Sequence, residues 1–139
     1  MTVTATPIFP QSIKNEFGQL NNASGQTPVT VYTGGTNGSK IESLFVSSTD
    51  TTARDIQISI VISSVTYILG TVTIPINSGN INSAPTVNYF QSSQLPNLAK
   101  DSNGNPYLYL ASGAVLQAEA LTTVTSGKVI SIMAFGGDY

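Results

Sequence analysis

Residues 53–62, ARDIQISIVI, place Ile56, Ile58, Ile60 and Ile62 at every second position. Successive side chains of an extended strand point to opposite faces, so the four isoleucines share one face. Asp55, Gln57 and Ser59 share the other, with Val61 the exception. That alternation predicts a half-buried strand and excludes a helix. Ser63-Ser64 then predicts a turn, and VTYILGTVTI (65–74) predicts the second strand of a hairpin. This second strand is apolar on both faces at Tyr67, Ile68, Leu69 and Val72, which places the hairpin at the centre of a sheet.

The same period runs along most of the chain. PVTVYT (28–33) and KIESLFVSS (40–48) predict strands joined by GGTNGS, whose Asn37-Gly38 pair suits a tight turn. YLYLA (107–111), AVLQAEAL (114–121) and KVISIMAF (128–135) predict three more, with Gly113 and Gly127 at the turns. IKNEFGQL (13–20) fits either a strand or one helical turn. VNYFQSSQL (87–95) lies in an irregular, proline-containing stretch and allows a short helical turn. Seven or eight short strands predict an all-β fold, a β-sandwich, with the jelly roll as one arrangement that this strand count permits. Residues 1–12 contain Pro7 and Pro10 and lack sustained alternation. They read as an extended N-terminal arm before a single sandwich domain over 13–139. A chain of 139 residues suits one domain with a real core.

The stretch ISIVISSVTYILGTVTIPI (58–76) is long enough to span a bilayer and is uncharged. Six Ser/Thr residues, Gly70, Pro75 and many β-branched residues argue against a membrane helix there. The N-terminus lacks the basic-then-apolar layout of a signal peptide.

Composition removes several chemistries. The chain has no cysteine and no histidine, hence no disulfide, thiolate nucleophile or Ser-His-Asp triad. A Ser-Lys pair is formally open to Lys14, Lys40, Lys100 or Lys128, but no spacing singles one out. Charged residues are only 9% of the chain, while Ser, Thr, Asn and Gln supply 52 of its 139 residues. A net charge of −2 is a poor match for nucleic acid. Hydroxyls and amides are cheaper to desolvate than charges, so such a surface suits cover by neighbours.

Three stretches could carry chemistry. Asp50, Arg54 and Asp55 fall within six positions, yet Arg54 and Asp55 are adjacent in a strand and point apart. Asp50 is expected to bond the backbone of its own turn. DSNGNPY (101–107) begins like a calcium loop but has Pro106 and Ser112 where that template needs Gly and Glu. It is expected to form a hairpin turn. GGTNGSK (34–40) lacks the spacing of a phosphate loop. No catalytic, cofactor or metal residue is therefore assigned, and no cofactor is expected.

The candidate site residues are contact residues. Tyr107 and Tyr109 share one strand face opposite Leu108 and Leu110. Tyrosine supplies contact area at low entropy cost, so this face fits an interface. Ile8 and Phe9 in the arm form an apolar pair that a partner would cover, and Tyr139 in the closing GGDY joins them.

YTGGTNGSKIESLFVSSTDTTARDIQISI, ILGTVTIPINSG, DSNGNPYLYLASGAVLQ and the final GGDY together resemble small structural proteins of tailed bacteriophages. The similarity is one of overall pattern, from about residue 8 to the end. It implies a non-enzymatic virion component present in many copies, assembled in the host cytoplasm, and it names no site residues. The expected role is a capsid decoration (cement) protein on the head. Its expected partners are the major capsid protein and itself, as a homotrimer. No nucleic acid and no membrane are expected as partners. A tail or neck structural protein is an alternative. Another is a receptor- or glycan-binding module of a tail tip or fibre, built on Tyr107, Tyr109 and Glu119.

Overall fold

A computed structural model describes residues 9–139 of the chain. It is a β-sandwich of ten strands: β1 (Ser12–Asn21), β2 (Val29–Thr33), β3 (Ser39–Ser48), β4 (Arg54–Ile62), β5 (Val65–Ile74), β6 (Val87–Asn88), β7 (Ala99–Lys100), β8 (Pro106–Leu110), β9 (Val115–Ala120) and β10 (Val129–Asp138). One sheet has the order β1-β10-β3-β8-β7, with β6 also on β3, and the other has the order β2-β9-β4-β5. β1 pairs with β10, β2 with β9, β3 with β8 and β4 with β5, all antiparallel. The eight longer strands thus nest as one antiparallel ribbon rolled into two sheets, the jelly-roll arrangement. Among the described residues no helix is long and apolar enough to cross a membrane.

The alternation that predicted the strands also builds the core. Ile41, Leu44, Val46, Ile130, Ile132 and Ala134 face inward from the larger sheet. Ile56, Ile58, Leu116, Ala118 and Ala120 meet them from the smaller one. Each large side chain buried this way contributes about 1.5–3 kcal/mol of transfer free energy. Tyr89 is also fully buried, and its hydroxyl lies 2.8 Å from the carbonyl of Ile56 and 2.9 Å from that of Gly70. One glycine is fixed by backbone crowding. A Cβ on Gly136 would stand 2.1 Å from the Lys40 carbonyl oxygen, at the register shift where β10 passes β3.

Several sequence expectations are refined. Segment 13–20, open between strand and helical turn, is part of the ten-residue strand β1, and Tyr89–Gln91 forms a single 3-10 turn. The 34–39 loop connects strands of different sheets rather than closing a hairpin. The β4–β5 hairpin forms, with Ser63 and Ser64 both at positive φ (50° and 65°), as a two-residue turn demands. Its place was misjudged: β5 is an edge strand, not a central one. Its two-sided apolar pattern reflects exposure at one end, not burial on both faces.

Charge is spent at the two ends of the sandwich. At one end Lys14 lies 3.4 Å from Asp138 and 3.7 Å from Glu16, all three at most partly exposed. Glu16 accepts the Thr33 N–H, and Ser39 and Tyr32 donate to Asp138. This cluster ties β1, β2, β3 and β10 together. Burial first, then the nearby Asp138 and Glu16 charges, push the Tyr32 hydroxyl up to about 12, against an opposing hydrogen bond with Ser39. At the other end Asp50 is fully buried. It accepts from Arg54 Nε (2.8 Å), Thr125 Oγ1 (2.7 Å) and the N–H groups of Thr52 and Thr125. Arg54 also donates to Thr125 at 2.9 Å. The turn contact to Thr52 is the one expected from sequence; the bridge to the β9–β10 loop was not foreseen.

Burial alone would raise the Asp50 pKa, but the hydrogen bonds from Thr125, Arg54 and Thr52 outweigh it and hold the carboxyl far below its usual range. A carboxyl with a lower pKa folded than unfolded stabilises the fold above its unfolded value, about 3.9. That contribution is lost as pH falls from there toward the folded value. Asp50→Asn leaves the largely buried Arg54 without its counter-charge and is expected to cost about 3–5 kcal/mol in urea unfolding at pH 7. The substituted protein is also expected to lose less further stability between pH 5 and pH 2 than the unsubstituted chain. A parallel pH dependence in the two proteins would contradict the assignment.

Candidate functional site

Residues of β1, β10 and β3 out of phase with the core point outward from the larger sheet. Phe17 stands opposite Met133, which stands opposite Phe45. One step along, Phe135 lies between Asn15 and Ser43. The Phe17 and Phe135 rings meet edge to face with centroids 6.1 Å apart, and Phe45 tilts against Phe135 at 6.0 Å. Phe17 is 61% exposed and Ile13, further along β1, is 92% exposed. Phe45, Met133 and Phe135 are half-buried beside Phe17, and edge-to-face packing holds the rings in place, so the face is a preformed apolar surface rather than a loose one.

Sequence reasoning missed this face. Its signal was present: Met133 and Phe135 alternate with Ile130, Ile132 and Ala134, and Phe45 sits between Leu44 and Val46. One set fills the core. The other is a large apolar residue on what should be the solvent side.

The predicted tyrosines come together beside it. Tyr107 and Tyr109 pack at 4.9 Å, and Tyr139 lies 6.3 Å from Tyr109. Lys40 sits 4.7 Å above the Tyr107 ring and 3.4 Å from Glu42. The C-terminal residue is held in place, because the Tyr139 N–H donates to the Gly38 carbonyl. Loss of solvent, then hydrogen bonding with Tyr109, pushes the Tyr107 and Tyr139 hydroxyls up from their usual value. They stay neutral donors and contact groups at physiological pH. Phe9 is 69% exposed, and Gln11 lines a shallow depression with Asn37, Tyr109 and Tyr139. Ile8 lies outside the described residues.

Glu119 does not join this group. It belongs to β9, in the other sheet, opposite Gln57. The carboxylates near Tyr107 are Glu42 and Asp101. With Lys40, Asn88, Gln91 and Asn105 they line a polar cleft of about 280 Å³. Asn88 Oδ1 is buried in the fold and finds no hydrogen-bond partner among the described residues. Asp101 accepts from the N–H groups of Asn103 (2.8 Å) and Asn105 (2.9 Å), so the D-x-N-x-N stretch is a hairpin turn. These bonds, that of Asn105 foremost, lower the Asp101 pKa.

The Asp50–Arg54–Asp55 cluster is divided. Asp55 faces outward and accepts from Thr73, while Asp50 is buried and saturated with donors. Such a carboxylate has no free lone pair for a substrate proton. No group of three or more His, Cys, Asp or Glu among the described residues is placed to hold a metal ion. Ser39 is fully buried on Asp138, which removes it from any Ser-Lys pairing.

Comparison of the chain with protein-family models, with curated proteins and with solved structures finds no match. Phe17→Ser is expected to cost only about 0.5–1.5 kcal/mol, the worth of one aromatic edge contact. Loss of a core ring would cost about 3–5 kcal/mol. The same substitution should weaken binding of the apolar dye anilinonaphthalene sulfonate. A core-sized loss in thermal unfolding would mean that the ring is structural.

Proposed function

We propose that the protein is a non-enzymatic structural component of a tailed-bacteriophage virion, a decoration protein that binds the outside of the head and braces the major capsid protein. The observation that carries this reading is the phenylalanine face on β1, β10 and β3, pre-packed, with Phe17 exposed and Phe45 and Phe135 half-buried beside it. A large apolar patch on an otherwise polar surface marks a place of contact. The low charge supports the same reading. Five of the chain's twelve charged residues, Lys14, Glu16, Asp50, Arg54 and Asp138, serve the ends of the sandwich. The outer face can therefore be desolvated at modest cost. Jelly rolls occur among viral capsid and lectin domains, which is an analogy of fold alone. Mechanically, one modest contact repeated over the shell stabilises every joint that it spans, since ligand binding to the closed state opposes opening.

A second reading rests on the cleft beside Tyr107. Two carboxylates, a lysine, side-chain amides and an aromatic ring suit a hydroxyl-rich ligand, as in a glycan-binding module of a tail tip or fibre. Tail or neck placement remains the structural alternative.

The test is to add purified protein to heads that lack it and to count the copies bound. The expected result is saturation at a number commensurate with the capsid subunits and a higher temperature of genome release. Phe17→Asp with Phe45→Asp should abolish binding, since a central interface ring is worth about 2 kcal/mol or more. Density restricted to the tail or neck would overturn the head placement. A glycan array with hits that Asn88→Ala removes, beside no binding to heads, would favour the second reading.

A further inference from the structure

The four-stranded sheet ends in β5, and the apolar side chains at the start of that strand are left uncovered by the rest of the described chain. Val65, Thr66, Tyr67 and Ile68 are all exposed, Tyr67 by 55% and Ile68 by 63%. Ile62, across the turn, is exposed too. The hairpin tip therefore overhangs the opposite sheet and shows apolar side chains on both faces.

Its backbone is also open. Ile62 and Val65 flank a two-residue turn and form a hydrogen-bonded pair, so Thr66 and Ile68 turn their N–H and C=O groups away from β4. No described residue pairs with that edge. Further along, the edge is closed. A Cβ on Gly70 would stand 2.6 Å from Leu95, and the Tyr89 hydroxyl reaches the Gly70 carbonyl. Leu69, the extra residue at the register shift, lines a small hollow with Gln94, Leu95 and Leu98. The open window is thus limited to residues 65–68.

The other sheet edges carry the devices that prevent strand addition. β1 bears inward-pointing Lys14 and Glu16, β2 has a register shift, and β7 is two residues long with Lys100. On β5 the register shift lies at Leu69, just outside the 65–68 window, and the window itself carries no charge, since none occurs between Asp55 and Lys100. A second copy of the same strand meets it without like-charge repulsion.

We infer that the chain forms a two-fold dimer by antiparallel pairing of β5 with β5 of a second copy, joining two four-stranded sheets into one of eight strands. Thr66 and Ile68 of each copy exchange backbone hydrogen bonds with Ile68 and Thr66 of the other. The axis passes between the two Tyr67 residues. That pair is of the non-hydrogen-bonded type, with Cα atoms about 4.5 Å apart and rings on the same face. The symmetry is two-fold, in place of the trimer expected from the phage resemblance. It stands independently of head binding, because it is measured on the isolated chain.

The test is light scattering on the purified full chain, with a mass near twice 14.5 kDa expected. Tyr67→Lys sets two like charges face to face and should raise the dimer dissociation constant at least tenfold without changing the far-ultraviolet circular dichroism. Tyr67→Cys should form an intermolecular disulfide on mild oxidation, since the chain has no other cysteine and the separation suits the bond. Thr73→Cys, on the same strand but far from the axis, should not. A monomer at high concentration, a trimer, a dimer indifferent to Tyr67→Lys, or equal cross-linking at Thr73→Cys would each overturn the pairing.

Discussion

Two inner faces of alternating apolar residues close on each other, and every other feature is arranged around that burial. Because the side-chain period of a strand is two, the residues that fill the core leave their neighbours no choice but the outside. Ile130, Ile132 and Ala134 commit Met133 and Phe135 to the outer surface, and Leu44 and Val46 commit Phe45. The aromatic face is therefore a direct consequence of the core register. A slip of one residue in β10 would bury Met133 and Phe135 and expose Ile130 and Ile132.

The distribution of charge follows the same logic. A sandwich is weakest at its ends, where the strands stop and backbone groups need partners. There the chain places Lys14 with Glu16 and Asp138, and Asp50 with Arg54 and Thr125. Those groups are occupied with structure. The middle of the larger sheet is left with rings, and the tip of the smaller with an uncharged edge. In the proposed reading the phenylalanines on one sheet meet a foreign surface and β5 on the other meets a second copy of the chain.

Much of this was legible in the sequence, and the gaps have physical causes. Alternation at 56–62 and 128–135 gave the strands, and the core at Ile56, Ile58, Ile130, Ile132 and Ala134, because one-sided burial writes period two directly into the chain; Ile60 is half-buried and Ile62, at the hairpin tip, is exposed. The tyrosines on β8 were readable for the same reason. The position of β5 was not. A strand apolar on both faces reads as central, and the same pattern arises when an edge strand overhangs its sheet. The phenylalanines were passed over because single apolar residues on a solvent face are common; only the pairing across β1, β10 and β3 shows that they adjoin. Glu119 was grouped with Tyr107 and Tyr109 on chemistry alone, and the strand order then put it on the opposite sheet. The same holds for the Asp50–Thr125 bridge, whose partners lie 75 residues apart.

Hydroxyl-radical footprinting of the protein free and in assembled particles tests the contact role most directly. Protection of Phe17, Phe45, Met133 and Phe135 on assembly is expected, with the outward residues of β9, Gln117 and Glu119, unchanged. Equal oxidation of the four apolar residues in both states would contradict the account, because the face on which it rests would then touch nothing.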